Sequence, residues 1–307
     1  MAIATRSSAL AALAGLMVVL GSVPAAATVK VVATFSILGD MASEIGGDGV
    51  EVKTLVAPGG DAHVYQPTPA DADALANAQL IVVNGLGMEG WIERLIKASR
   101  SKAPIVVASK GIRPQTMEEE EDKEASGKPK VVTDPHAWQN LANGQLYVGN
   151  IAEGLARVDP ANAAGYRQRA ERYSKKLEDL DAWVRQQMAQ VPRAKRKIIT
   201  SHDAFGYFGT AYGVTFMAPE GISTESEPSA AALAQLSDQI KREHIKALFI
   251  ETMTDPRLVQ TLARESGAVV GGTVYSDSLS EPGGPADTYV KMFRHNVPAM
   301  AAAMQKN

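Results

Sequence analysis

Four side chains that commonly bind metal ions stand out in this sequence of 307 residues. Three are histidines: His63 ends the run GGDAH, His136 lies in DPHAW, and His202 lies in TSHDAF. The fourth, Asp277, follows the run VVGGTVYS. Taken singly, a loop histidine is more often a hydrogen-bonding residue, and an aspartate after a strand more often caps a helix. Their common placement near predicted strand ends makes them candidate ligands.

The donor set of three imidazoles and one carboxylate suits a borderline cation. Zinc accepts nitrogen and oxygen ligands in tetrahedral geometry, whereas calcium and magnesium favour more oxygens and copper(I) favours sulfur. Manganese stays open, and copper(II) would compete on affinity alone. The donors therefore favour Zn2+. Asp134 and Asp203 are candidate acceptors for the free N–H of a ligating imidazole, with helix capping as the alternative role.

The elements that must position these side chains are predicted as alternating strands and helices. Short β-rich runs alternate with helical patterns in the first half of the chain, at residues 30–33, 37–45, 52–56, 70–78, 80–84, 91–98 and 105–108. Such alternation is typical of βαβ units and a parallel sheet. Because the carboxyl ends of parallel strands open onto one crevice, ligands that are remote in sequence would meet there.

A related order of elements returns in the second half of the chain. The runs APGG at residues 57–60 and QPT at 66–68 have counterparts, APEG and EPS, 161 residues later. A chain of this length also exceeds one ordinary core. We predict an α/β fold of two Rossmann-like lobes with parallel sheets, at residues 28–158 and 193–307, and a metal site between them.

One long amphipathic helix, assigned to residues 159–192, is predicted to join the lobes. Apolar side chains recur every three or four positions, at Tyr166, Ala170, Tyr173, Leu177, Leu180, Val184 and Met188. Pro160 suits the first turn, and Pro192 follows the end of the helix. A helix of about 45 Å is a stiff connector. We therefore expect small lobe movements when the protein binds its ligand.

The first 27 residues are predicted to be a secretory signal peptide. Arg6 supplies positive charge, residues 10–21 form an apolar core, and alanines at 25–27 offer a cleavage site. The sequence contains no cysteine, so we expect neither a disulfide nor a lipidated cysteine. These features predict a periplasmic protein without a lipid anchor.

Charge narrows the choice of partners. The net charge of −3 and the lack of a basic block argue against nucleic acid or an anionic membrane surface. The acidic run EEEEDKE at residues 118–124 is predicted as a solvated loop, with a weak metal trap or a docking patch as the alternative. His244 and His295 lie inside apparent helices beside charged neighbours, so we predict that both are solvated.

Several motifs, in order along nearly the whole chain, resemble the zinc/manganese-specific solute-binding proteins of ABC importers. They are VATFSILGD at residues 32–40, GGDAH leading into QPTP at 59–69, DPHAW at 134–138, SHDAFGYF at 201–208 and FIETMTDPR at 249–257. The resemblance implies a metal held between two lobes by His63 and His136 of the first and His202 and Asp277 of the second. Zinc members usually carry histidine at the position of His202 and manganese members glutamate, so it also implies zinc.

The resemblance further implies a transport role. The protein would capture Zn2+ in the periplasm, as transported substrate, and deliver it to the membrane permease of a zinc ABC importer. Many zinc members carry a histidine-rich loop before the second ligand motif, whereas this chain has the acidic run there. A periplasmic metallochaperone is a candidate second partner, and we expect a monomer.

Three alternatives stay open at this point. The nearest is a manganese- or iron-binding homologue of the same transport class. A zinc-dependent hydrolase would need an open coordination position and a base such as Glu251, and no His-Glu-x-x-His motif occurs. A surface adhesin would use the metal only to stabilise its fold. We predict that the protein is not an enzyme.

Overall fold

The computed structural model describes residues 28–123, 129–225 and 228–307. The predicted signal peptide, at residues 1–27, lies outside these ranges. Among the residues that are described, no helix combines the length and the apolar character that a membrane span requires.

A parallel four-stranded sheet organises the first lobe. Its elements in chain order are β1 (Val29–Phe35), α1 (Ser36–Gly46), β2 (Val50–Val56), α2 (Pro69–Ala76), β3 (Leu80–Val83), α3 (Ile92–Ser99) and β4 (Ile105–Val107). The strand order is β2-β1-β3-β4, and every pair is parallel. Strand β3 reads LIVV and is buried throughout, as expected for a parallel strand covered on both faces. This confirms the α/β class.

An antiparallel hairpin follows the first sheet, formed by β5 (Gln115–Lys123) and β6 (Pro129–Asp134). It contains residues 118–123 of the acidic run, so the prediction of a loop was wrong there, and Glu124 lies outside the described residues. The partner strand carries the β-branched residues Val131, Val132 and Thr133, which favour extended backbone. Cross-strand hydrogen bonds then pair backbone N–H and C=O groups of the acidic strand, although its residues have low β-propensity.

Two packed helices follow the hairpin, α4 (Leu141–Val158) and α5 (Ala163–Ala189). Helix α5 has 27 residues, and its buried side chains are the seven apolar residues whose spacing predicted it. It begins after a separate 3-10 turn at Pro160–Asn162. It contacts α1 of the first lobe and, near the end of the chain, α9 (Tyr289–Met304). The assignment of residues 159–192 as a linker, the lobe boundaries and the small lobe movements stay predictions.

The second sheet repeats the architecture of the first. Between α5 and α9 lie β7 (Lys197–Ile199), α6 (Gly206–Tyr212), β8 (Thr215–Met217), α7 (Ala230–Arg242), β9 (Ala247–Glu251), α8 (Pro256–Ser266) and β10 (Val269–Val274). The order is β10-β9-β7-β8, again all parallel. In both sheets the first strand therefore lies between the second and the third, which agrees with the repeat seen in the sequence.

A carboxylate at the junction of three helices gives a test of this packing. Asp40 of α1 accepts a hydrogen bond from the backbone N–H of Tyr289 at 2.8 Å and a longer one from the Tyr173 hydroxyl at 3.5 Å. Burial raises the pKa of Asp40 from 3.8 to about 6, against the lowering effect of the Tyr289 hydrogen bond. The fold therefore favours the protonated carboxyl.

We expect Asp40→Asn to raise the free energy of unfolding at pH 8 by about 2 kcal/mol, with little gain at pH 4. The raised pKa contributes stability that is complete below the unfolded value of 3.8 and is lost as pH rises through about 6. Denaturant unfolding at the two pH values measures this difference. Asp159→Asn is the control of opposite sign, because hydrogen bonds from Tyr166 and Asn162 lower the pKa of Asp159. Equal stability of native and Asp40→Asn protein at pH 8 would contradict the prediction.

Candidate metal centre

The four candidate ligands come from four loops that follow strands. His63 lies beyond β2, and His136 lies just after β6. His202 follows β7, and Asp277 follows β10. Three of these strands belong to the two parallel sheets, and the candidate ligands lie beyond their carboxyl ends. The topology therefore brings together residues that are far apart in sequence.

The ligand atoms converge on one point, and all four lie within 4.8 Å of one another. His63 Nε2 lies 3.2 Å from His136 Nε2 and 3.2 Å from Asp277 Oδ2. His202 Nε2 lies 3.4 Å from His136 Nε2 and 3.1 Å from Asp277 Oδ2. His136 Nε2 and Asp277 Oδ2 are 3.4 Å apart. Tetrahedral ligands about 2.0 Å from an ion are about 3.3 Å from one another, so these separations fit a four-ligand cage.

Burial is nearly complete at this cluster. His136 and His202 are 0% exposed, Asp277 is 1% exposed, and His63 is 7% exposed. Ionisable groups are rarely buried to this degree unless they are paired or bind a metal. The second carboxylate oxygen of Asp277, Oδ1, is also buried and has no hydrogen-bond partner in the part of the chain that the structure describes. Its lone pairs are available to a cation.

Two carboxylates fix the orientation of two imidazole rings. Nδ1 of His136 lies 2.8 Å from Asp134 Oδ1, and Nδ1 of His202 lies 2.8 Å from Glu251 Oε2. A carboxylate at this distance favours the tautomer that carries its proton on Nδ1, which leaves Nε2 facing the centre as the metal-binding atom. Asp134 therefore takes the role predicted for it. Glu251, and not Asp203, takes that role for His202.

Hydrogen bonds to both carboxylate oxygens fix the position of Glu251. Its Oε1 accepts hydrogen bonds from the backbone N–H groups of Ser201 and His202, both at 2.9 Å. Its Oε2 accepts a short hydrogen bond from the Ser276 hydroxyl, next to Asp277. Glu251 is the last residue of β9, so the strand-end placement that drew attention to Asp277 could also have identified it.

A buried polar network supports the loop that carries His136. The side-chain amide of Asn84 donates to the carbonyl of Pro135 at 2.9 Å. Glu89 accepts hydrogen bonds from the Thr34 hydroxyl and from the Asn84 backbone, each at 2.6 Å. Burial raises the pKa of Glu89, against those hydrogen bonds. Sequence reasoning missed Asn84 and Glu89, because nothing in their local pattern marks them as neighbours of Pro135.

The electrostatics of the cluster favour positive charge at its centre. Burial lowers the pKa of His136, but Asp277 and Asp134 outweigh this effect and raise it to about 9. Burial also opposes the charged form of His202, yet Glu251 and Asp277 raise its pKa well above the usual value. Conversely, burial would raise the pKa of Asp277, but His136 and His202 hold it well below its usual range. The centre attracts a proton or a metal ion.

The two remaining histidines lie away from this cluster. His244 is exposed in the turn after α7, where its φ of 54° is left-handed, so it is solvated as predicted but is not helical. His295 lies in α9 as predicted but is half-buried, with Nε2 3.1 Å from the carbonyl of Thr273. Its predicted solvation is therefore only partial.

Comparisons with known proteins identify relatives over nearly the whole chain. The family model ZnuA, "Zinc-uptake complex component A periplasmic", matches residues 31–303. The manganese-binding lipoprotein MntA of Halalkalibacterium halodurans is 32% identical over 277 residues, 90% of this chain and 89% of the relative. The iron ABC transporter substrate-binding lipoprotein MtsA of Streptococcus pyogenes serotype M1 is 35% identical over 283 residues, 90% and 89% of the two chains. The structure of the periplasmic zinc-binding protein TroA of Treponema pallidum is similar with a TM-score of 0.82 at 32% identity, over 91% of this chain and 99% of that one.

These relatives correct one prediction about location. MntA and MtsA are both named lipoproteins, and each covers most of this chain. They contradict the predicted absence of a lipid anchor, and that prediction was wrong. The prediction rested only on the lack of cysteine in the sequence. The absence of one residue type does not show how a protein is attached to a membrane.

The same comparisons agree with the motifs that suggested a transport protein. The match extends over both lobes, the fold is shared with TroA, and the identities exceed 30% over nine tenths of the chain. The chain therefore belongs to the ZnuA family of periplasmic metal-binding proteins of ABC importers.

Proposed function

We propose that this protein captures Zn2+ outside the cytoplasm and delivers it to the membrane permease of a zinc ABC importer. The proposed ligands are His63, His136, His202 and Asp277. One observation carries the proposal. Nε2 atoms of His136 and His202 lie 3.4 Å apart in a buried centre, and the Nδ1 atom of each ring lies 2.8 Å from a carboxylate oxygen. Once both rings have lost the Nε2 proton, their lone pairs repel each other at this distance unless a metal ion lies between them.

Zinc is supported over other metals by the donors and their spacing. Three nitrogens and one oxygen at near-tetrahedral separations suit zinc, whereas a harder ion such as manganese favours oxygen ligands. A manganese- or iron-binding protein of the same transport class is the second candidate. It is favoured by the names of MntA and MtsA, which are a manganese-binding and an iron ABC transporter protein respectively.

Metal competition on the purified chain decides between these candidates. Protein stripped with a chelator is titrated with zinc and with manganese, each against a chromophoric competitor, and bound metal is counted by mass spectrometry. We expect one zinc per chain and a preference of at least about 100-fold over manganese. A preference for manganese or iron would contradict zinc specificity but not the transport class. Unchanged zinc uptake in cells that lack the gene would contradict transport of zinc.

The positions of the carboxylates argue against a hydrolase. A general base must be able to reach a bound water and take its proton. Glu251 contacts Ser201, His202 and Ser276, so neither of its oxygens faces an open coordination position. MtsA is named a substrate-binding protein of a transporter. A binding protein is therefore better supported than an enzyme, while the metallochaperone and the monomer stay untested predictions.

Glu251→Gln is expected to weaken zinc binding by about 10- to 100-fold. The neutral amide keeps the volume of the side chain but no longer strengthens the basicity of His202 through its Nδ1 proton. Competition with a chromophoric chelator measures the change. Asp203→Asn is the matched control, because it removes a charge that acts on His136 and His202 through space, whereas the described contacts include no hydrogen bond from the Asp203 carboxylate to either ring. A larger loss for Asp203→Asn than for Glu251→Gln would contradict this assignment.

A further inference from the structure

A cavity opens beside one of the four ligands. It has a volume of about 530 Å³ and is lined by His63, by Leu86 and Met88 of the first lobe, and by Ile222 and Ser223 of the second. His136, His202 and Asp277 do not line it. His63 is also the most exposed of the four ligands, at 7%. The cavity therefore opens towards the centre on the His63 side, and we call it the mouth.

A short segment, residues 220–225, runs from the loop of His202 to the edge of this mouth. The backbone N–H of Glu220 donates to the carbonyl of Ser201 at 3.2 Å. The backbone N–H of Asp203 donates to the carbonyl of Gly221 at 3.0 Å. These two hydrogen bonds lie on either side of His202. We call residues 220–225 the strap, because its first part is fastened to a ligand loop of the second lobe.

The far end of the strap is bonded to the ligand loop of the first lobe. The hydroxyl of Thr224 donates to Asp61 Oδ2 at 2.6 Å. The other oxygen, Asp61 Oδ1, accepts a hydrogen bond from the backbone N–H of His63 at 2.8 Å. One carboxylate thus joins His63 to the strap across the cleft. Asp61 and Thr224 do not contact the ligand centre themselves.

The opposite side of the centre is tied more firmly. The carbonyl of Ser276 accepts from the Trp138 indole at 3.0 Å in a buried contact. The backbone N–H of Leu279 donates to the Ser36 hydroxyl at 2.9 Å, also buried. These bonds fix the loop of Asp277 to the first lobe, whereas the bond between Asp61 and Thr224 is only partly buried. Opening at the mouth therefore disrupts less buried structure than opening behind Asp277.

We propose that the hydrogen bond between Asp61 and Thr224 is a latch that holds the strap over the mouth and sets the rate at which the ion leaves. The inference rests on the proposed function, because it concerns release from the same centre. Asp61 and Thr224 are positioning residues: they fix His63 relative to the loop of His202. Delivery of the ion then requires this bond to break while the ties behind Asp277 persist.

The test is the rate of zinc release from the full chain. Zinc-loaded protein is mixed with excess chromophoric chelator in a stopped-flow instrument, and Thr224→Val is compared with native protein. Valine keeps the shape of threonine but cannot donate to a carboxylate. Since a hydrogen bond to a charged group is worth about a factor of ten or more, we expect release to be about tenfold faster. Thr224→Ser, which restores the hydroxyl, should release at nearly the native rate.

Three further measurements separate a latch from general damage. Cobalt(II) absorption of Thr224→Val should match that of native protein, because the four ligands are intact. Thr261→Val is the matched control, since the Thr261 hydroxyl donates to the Arg257 carbonyl within helix α8, in an exposed hydrogen bond. In a double-mutant cycle, Asp61→Asn should add little to Thr224→Val, because both remove the same bond.

The outcomes are distinct. Native release rates in Thr224→Val, or additive effects in the cycle, would overturn the latch even if native protein binds zinc tightly. If native protein binds no zinc at all, the proposed function fails first, and the latch fails with it.

Discussion

His202→Ala is expected to weaken zinc binding by roughly 100- to 1,000-fold. Apparent binding free energies of about 10–16 kcal/mol for four-ligand zinc sites correspond to about 2.5–4 kcal/mol for each ligand. Each 1.4 kcal/mol is a factor of ten in Kd. His202 also lies between Glu251, 2.8 Å away, and Asp277, 3.1 Å away. Removing the ring leaves those two buried carboxylates without the group between them, so the variant should also lose stability.

Competition against a chelator of known affinity measures the effect, and two controls interpret it. His244→Ala removes an exposed histidine from a turn and should bind zinc as native protein does. Circular dichroism of metal-free His202→Ala shows whether the fold is retained. We expect it to be, because Glu251 keeps its hydrogen bonds from two backbone N–H groups and from Ser276. Zinc affinity within threefold of native in folded His202→Ala would exclude His202 as a ligand.

The four clustered residues could be predicted from sequence because strand topology restricts where loop residues meet. Alternating strands and helices predicted parallel sheets, and parallel strands present their carboxyl ends at one edge. His202 and Asp277 lie three residues after the ends of β7 and β10, so the topology brings them close together. The helix α5 could be predicted for a similar reason, since the spacing of its apolar residues depends only on helical geometry.

The partners of the clustered residues could not be predicted in the same way. Asp203 is adjacent to His202 in sequence, but Glu251, 49 residues away, accepts the bonds at that site. Which carboxylate reaches a ring depends on how three strands pack, and local sequence does not contain that information. The hydrogen bond between Asp61 and Thr224 spans 163 residues and had no local signal either.

The acidic run shows the same limit for secondary structure. Residues 118–123 have a composition typical of solvated loops, yet they belong to β5, where Glu118, Glu119 and Lys123 pair with β6. A segment of low β-propensity can still form a strand when a partner strand supplies its hydrogen bonds. The composition of the segment itself does not reveal that partner. The position of β6 immediately before His136 gives this hairpin a structural task, since its last residue, Asp134, orients that ring.

Removal of the metal is expected to lower Tm by roughly 10 °C at neutral pH. A ligand at 1,000 times its Kd stabilises the folded state by about 4 kcal/mol, and each kcal/mol shifts Tm by about 2–4 °C in a protein of this size class. Differential scanning calorimetry of zinc-loaded and chelator-stripped protein measures the difference. The His202→Ala variant is the control, because it should show a much smaller shift at the same zinc concentration.

The difference in Tm between the two forms should widen as pH rises from 6 to 9. In the metal-free protein the pKa of His136 is about 9, so its raised value contributes stability that is complete below the usual 6.5 and is lost as pH rises through about 9. Zinc must displace that proton, so its apparent affinity increases over the same interval. The metal-free form therefore loses stability where the loaded form gains it. A gap that stays constant between pH 6 and pH 9 would show that zinc displaces no proton from these rings.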